Sequence, residues 1–157
     1  MGAPRVAVQS LVRRYLGQMM AELKQIRDPS DASRSVLESI DLVVPHQANQ
    51  TMVTKLATAA GLAADRLYFN IGKVGNTSSA SIPLALFDAV EEGVIKAPCR
   101  IFAPSFGAGA VAGYIVMRFD PAVVARGVGK RVEPAPGHAA TLREGSTVSD
   151  VQSAFGS

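Results

Sequence analysis

The chain has 157 residues, 48% hydrophobic and 18% charged, with a net charge of +3. That is enough apolar material for one domain with a core, and it excludes a chain disordered throughout. The charge is too small and scattered to mark a nucleic-acid binder, there is no Trp for base stacking, and no apolar run approaches bilayer length.

Neither nucleic acid nor a membrane is therefore expected as a partner. The single Cys99 excludes an internal disulfide framework and fits a reducing cytoplasm. Met1-Gly-Ala-Pro-Arg leads into an amphipathic stretch, so no signal peptide is expected.

Val8, Leu11, Val12, Tyr15, Leu16, Met19, Met20, Leu23 and Ile26 recur at steps of three and four. This spacing predicts a helix of about five turns with one apolar face. "RDPSDAS" ends it, because Pro29 disfavours helix at Asp28. A short helical turn is expected through Val36 to Ile40, and "IDLVVP" then reads as a buried strand.

Asn49 is placed to cap a helix running to about Ala60, with Met52, Val53, Leu56 and Ala59 or Ala60 inside and Gly61 as its stop. "RLYFNI" is expected as the next strand and "GKVGN" as a turn. Thr77 or Ser78 can cap the helix that follows, which is apolar enough to be buried and carries Pro83 within its first two turns. "CRIFAPSF" and "VAGYIVMRF", separated by "GAGA", predict an antiparallel hairpin. The alternation of helices and strands implies an α/β fold with a mostly parallel sheet. Residues 1–119 form this domain. Residues 120–157, rich in Ala, Gly, Ser and Pro without a sustained period, are expected as a flexible tail.

His46, in "VVPHQANQ", and Asn76, in "VGNTSSAS", both follow strand-like runs. In open parallel sheets the carboxyl ends of strands are where ligands bind. An imidazole N–H and a carboxamide N–H aimed at one point would stabilise an oxyanion or enolate. Spacing alone leaves a second reading open: a structural histidine, and a Gly-Asn pair serving only a turn. "SFGAGA" lets backbone N–H groups approach a ligand, or is an ordinary glycine hairpin. Cys99 sits at a strand start without a cationic partner on its own face and reads as structural. His138 has no ligand set around it, and no residue spacing suits a metal.

Together "DLVVPHQAN", "NIGKVGNTSSASIPLAL" and "FAPSFGAGAVAGYIVMRF" resemble the C-terminal half of β-ketoacyl-acyl carrier protein synthase III, a thiolase-fold condensing enzyme. The similarity runs from about Arg5 to Phe119. It implies a mixed, mostly parallel sheet with helices on both faces and a final antiparallel hairpin. It also implies that His46 and Asn76 match the His and Asn of a Cys-His-Asn triad, holding a malonyl thioester carbonyl during decarboxylation. Phe106, Gly107, Ala108 and Gly109 resemble the loop beside the acyl thioester that contributes to its oxyanion hole. Gln47, Asn49 and Gly75 would support the site from behind.

The nucleophilic Cys of the family lies in the N-terminal half, and Cys99 does not align with it. No nucleophile is therefore expected in this chain. The strand that precedes the first helix in the family, expected at the middle of the sheet, also has no counterpart here. Two outcomes follow: the chain folds with another polypeptide filling that place, or its strands close up into a four-stranded sheet. Many members carry a basic residue just after HQAN; here Gln50 and Thr51 stand there, with Lys55 the nearest cation.

By this resemblance no cofactor is bound, and the substrates are thioesters of CoA and acyl carrier protein. The partners are a Cys-bearing N-terminal half or companion synthase chain, a second copy in a homodimer, and the carrier protein. The alternative is a non-catalytic half-synthase that serves as a dimerisation or carrier-protein interaction module. Relatives that move acyl groups to oxygen or nitrogen stay within the same enzyme class.

Overall fold

The computed structural model describes residues 3–107 and 111–124. Helix α1, Ala3–Gln25, carries the expected stripe: Val12, Leu16, Met19, Met20 and Leu23 are all buried. Beyond it the chain forms a small antiparallel hairpin, β1 (Arg27–Asp28) and β2 (Asp31–Ser35), which the periodicity did not foresee. Its anchor is ionic rather than apolar. The buried Asp28 carboxylate pairs with Arg100 Nη1 at 2.7 Å and accepts from the Ser30 N–H and hydroxyl. The bond from Arg100, then those from Ser30, hold the Asp28 carboxyl well below the usual carboxylate range. The same guanidinium donates to the Ser39 hydroxyl, in a 3₁₀ turn at Leu37–Ser39, where a helical turn was expected.

The central strand of the sheet is β4, Cys99–Gly107. It pairs in parallel with β3, Leu42–Val43, and antiparallel with β5, Val111–Phe119, over nine rungs from Cys99↔Phe119 to Gly107↔Val111. The parallel ladder continues past β3 through Val44 N–H to Phe102 O and His46 N–H to Pro104 O, both 2.9 Å. The extended run "IDLVVPH" is thus zipped along β4 as far as His46.

"RLYFNI" differs from expectation. It contributes a single bridge, Val43↔Leu67, with Tyr68 N–H donating to Val43 O at 3.0 Å. After Tyr68 the chain curls in at the buried Asn70, whose amide donates to Asp88 Oδ2. The expected turn at "GKVGN" is a short helix, α3 (Ile71–Val74), ending at Gly75. Instead of the expected four-stranded closure, β3 lies directly against β4 in a three-stranded sheet, β3-β4-β5, and the Leu67 segment adds one isolated bridge to β3. The backbone groups that a central gap would orphan satisfy one another, which removes a cost of about 1–3 kcal/mol per buried group.

Alternate residues of β4 serve two cores. Phe102 packs with α1 and with Ala57 of α2, Gln50–Ala59, and meets Tyr114 edge-on at 5.7 Å. Ile101 and Ala103 face Ala85, Leu86 and Ala89 of α4, Ser81–Glu91. Helices therefore cover both faces. Asn49 caps α2 as expected, its Oδ1 accepting from Met52 N–H at 2.9 Å, and Gly61 at φ +93° ends it. Val53 and Ala57 are its buried positions, while Ala59, a candidate for the inside, is exposed. Helix α4 is buried along one side only: Leu84 and Phe87 are 38% and 39% exposed. Neither Thr77 nor a helix-capping Ser78 starts it. A 3₁₀ turn, Ser78–Ala80, leads in, and no side chain caps either element.

A helical turn follows β5, with Asp120 Oδ1 accepting from Ala122 N–H. Ala108 and Gly109 of the expected loop, and the expected tail from residue 125 on, lie outside the described residues. Among the described residues no helix is long and apolar enough to cross a membrane.

Candidate active site

The parallel ladder carries His46 to the carboxyl end of β3, and the hairpin carries Phe106 and Gly107 to the same end of β4. Helix α3 and Gly75 bring the third element there. Gly75 holds φ +72° and ψ −165°, a region that is essentially glycine's alone, and turns the chain into Asn76. These elements enclose one open cavity of about 520 Å³, lined by His46, Asn76, Ser78, Ser79, Ser105, Phe106 and Gly107. Four of the residues singled out from the sequence thus share one cavity: His46, Asn76, Phe106 and Gly107.

A continuous hydrogen-bond chain joins His46 to Asn76. His46 Nδ1 lies 2.7 Å from Ser81 Oγ. The Ser81 hydroxyl donates to Ser78 O at 2.7 Å, and Ser78 N–H donates to Asn76 Oδ1 at 2.9 Å. Asn76 Oδ1 is engaged this way, so its NH₂ is the group left for a ligand. Ser78 sits at φ 55°, the sole non-glycine positive φ among the described residues, a conformation that costs on the order of 1–3 kcal/mol. The two hydrogen bonds on either side of its peptide units hold it there. Burial lowers the His46 pKa, so the resting ring is neutral near neutral pH.

Gln47 is fully buried and works from behind. Its Nε2 donates to Pro45 O at 2.7 Å, and its Oε1 accepts from Asn70 N–H at 3.1 Å. It therefore pins the strand end that presents His46 to the segment that leads into α3 and Asn76. Asn49, grouped with it from the sequence, caps α2 and does not line the cavity. Asp88 extends the support: it accepts from Asn70 and pairs with Lys73 Nζ at 3.2 Å, and these contacts lower its pKa.

Ser81 escaped the sequence reading. Its contact with His46 spans thirty-five positions, and no local pattern encodes it. One signal was available. Ser81, Ala85 and Ala89 lie on one helical stripe, and a hydroxyl on a buried stripe requires a partner. Cys99 stands apart. It begins β4, seven residues from Phe106, or roughly 23 Å along an extended strand. It lines a separate groove with Asp41, Leu42 and Lys96, and burial, then the Asp41 charge, push its thiol pKa up. Among the described residues no group of three or more His, Cys, Asp or Glu is placed to hold a metal ion.

Residues 31–119 match the family model for the 3-oxoacyl-[acyl-carrier-protein (ACP)] synthase III C terminal. The β-ketoacyl-[acyl-carrier-protein] synthase III 2 of Vibrio cholerae is 34% identical over 132 residues, which are 84% of this chain and 36% of that protein. The crystal structure of 3-oxoacyl-[acyl-carrier-protein] synthase III from Aquifex aeolicus aligns with a TM-score of 0.56 at 31% identity, over 68% of this chain and 33% of that one. A synthase structure from Burkholderia xenovorans aligns with a TM-score of 0.60 at 28% identity, over 73% of this chain and 31% of that one. The chain spans about a third of the length of these relatives. Its mixed sheet, with helices on both faces and a terminal hairpin, is part of a thiolase-like α/β fold. The chain belongs to the 3-oxoacyl-[acyl-carrier-protein] synthase III C-terminal family.

Proposed function

We propose that this chain supplies the enolate-stabilising half of a decarboxylative condensing enzyme in the cytoplasm. A companion Cys-bearing N-terminal half supplies the nucleophile, and thioesters of CoA and acyl carrier protein are the substrates. The observation that carries the reading is the single cavity lined by His46 and Asn76 and bounded by Phe106 and Gly107. A malonyl thioester bound there loses CO₂ as its C–C bond breaks, and the electron pair passes to the thioester oxygen. Asn76 Nδ2–H and a protonated His46 Nε2 hold that oxygen. Asn76 donates without carrying a charge that would be neutralised. The enolate carbon then attacks the acyl carbonyl on the companion's Cys, and the thiolate leaves. Phe106 and Gly107 border the acyl carbonyl.

The test is co-expression with the N-terminal part of a synthase III that retains its Cys. The complex is expected to release CO₂ from malonyl-carrier protein and form a β-ketoacyl product. His46→Ala or Asn76→Ala should each lower turnover by about 100-fold or more, the scale of losing one oxyanion donor. Turnover unchanged in both variants would reject the proposal. Carrier-protein binding without turnover in every pairing would favour the non-catalytic interaction module.

A further inference from the structure

The protons available to Ser81 decide the state of His46. Ser78 O only accepts, and it lies 2.7 Å from Ser81 Oγ. Two oxygens that close repel unless a proton lies between them, and the sole proton available is the Ser81 hydroxyl's. The hydroxyl has no second proton to give. Its lone pairs must therefore serve its other neighbours, Gln47 N–H at 3.5 Å and His46 Nδ1 at 2.7 Å. A contact of 2.7 Å between a lone pair and a ring nitrogen requires the nitrogen to carry the proton. Ser81 is 1% exposed, so water does not compete for these positions.

From this geometry we infer that Ser81 is a positioning residue that holds neutral His46 as the Nδ1–H tautomer, leaving an unprotonated Nε2 for the ligand cavity. The inference deepens the proposed function and rests on it for its consequence. At rest Nε2 accepts and does not donate. It becomes a donor by taking one proton, and the thiol of the companion's Cys is the group of the right chemistry to provide it. The S–H bond breaks, the proton binds Nε2, and a thiolate and an imidazolium result. The thiolate attacks the acyl carbonyl and the C–S bond to CoA breaks; the CoA thiolate takes a proton from water, and the hydroxide left passes to solvent. The imidazolium then holds the enolate oxygen through Nε2–H. The thiolate released after carbon–carbon bond formation again faces the imidazolium. Charge and protons balance at each step, and Ser81 accepts from Nδ1–H throughout.

Long-range ¹H–¹⁵N correlation spectra of the full chain test this without a partner or turnover. The chain has two histidines, and a His138→Gln variant assigns the ring signals. At a pH where the ring is neutral, His46 is expected to show a protonated Nδ1 and an unprotonated Nε2. Ser81→Ala should exchange the two shifts, because an imidazole without that acceptor favours Nε2–H in water. Nε2–H as the major form of the unaltered chain would overturn the inference, as would a folded Ser81→Ala variant with unchanged ring shifts. If Ser81→Ala does not fold, the spectrum of the unaltered chain decides alone. An inactive co-expressed complex with the Nδ1–H tautomer would sink the functional reading only. An active complex with Nε2–H would sink this inference only.

Discussion

His46 carries a titration that the fold itself feels. Burial opposes its charged form, so its pKa is lower folded than unfolded. Below about pH 6.5 the unfolded chain binds a proton that the folded chain resists, so stability is lost as the pH falls through that window. Above it both states are neutral and the effect vanishes. Urea unfolding on either side of about pH 6.5 should therefore show a pH-dependent loss that shrinks in His46→Gln; an identical loss in the variant would assign it to other groups. The carboxylates with lowered pKa values, Asp28 foremost, act in the same direction but at lower pH. At this scale His46 and Asn76 were legible as candidates through the combination of HQAN and GNTS, since spacing alone left a structural histidine and a turn Asn open. The partner that orients the imidazole was not, because Ser81 resembles any other serine near a helix start until the chain is folded.

At the scale of elements, α2 illustrates local encoding. Its start is written in Asn49, whose side chain accepts from Met52 N–H, and its end in Gly61. Asn49→Ala should cost about 1 kcal/mol in urea unfolding, the usual value of a lost cap. A cost near zero would mean water replaces the cap fully. The prediction concerns stability because the residue caps a helix rather than lining the cavity. Helix α1 was equally legible, since its stripe needs only a period of 3.6. The β1–β2 hairpin and the curl at Asn70 were not. Each depends on a buried polar contact to a distant residue, Asp28 to Arg100 and Asn70 to Asp88, and the apolar pattern is silent about both.

Across the whole molecule, β4 is the shared wall. Phe102 is fully buried between β4 and the α1–α2 layer, while its sequence neighbours Ile101 and Ala103 serve the opposite core. Phe102→Ala should destabilise the chain by about 3–5 kcal/mol, a large part of the stability of a small domain. Loss of the cooperative unfolding transition, or a large fall in its midpoint, is the expected readout. A loss under about 1 kcal/mol would show that the two layers repack across the sheet. The same wall sets the site: β4 hydrogen-bonds the chain up to His46 and ends in Phe106 and Gly107 beside it.

The amino-acid order by itself determined the three long helices, where α2 is capped, that a hairpin of β4 and β5 closes the sheet, and that His46 and Asn76 are candidates for chemistry. Those properties arise from neighbours a few residues apart, whose periodicity and turn chemistry act before any long-range contact forms. The tertiary structure alone decided that β3 lies directly on β4, that "RLYFNI" pairs at a single point, and that Ser81 and Ser78 wire His46 to Asn76. Each of these is a hydrogen bond or backbone pairing that exists only after packing has chosen which distant groups share a buried space and must satisfy one another there.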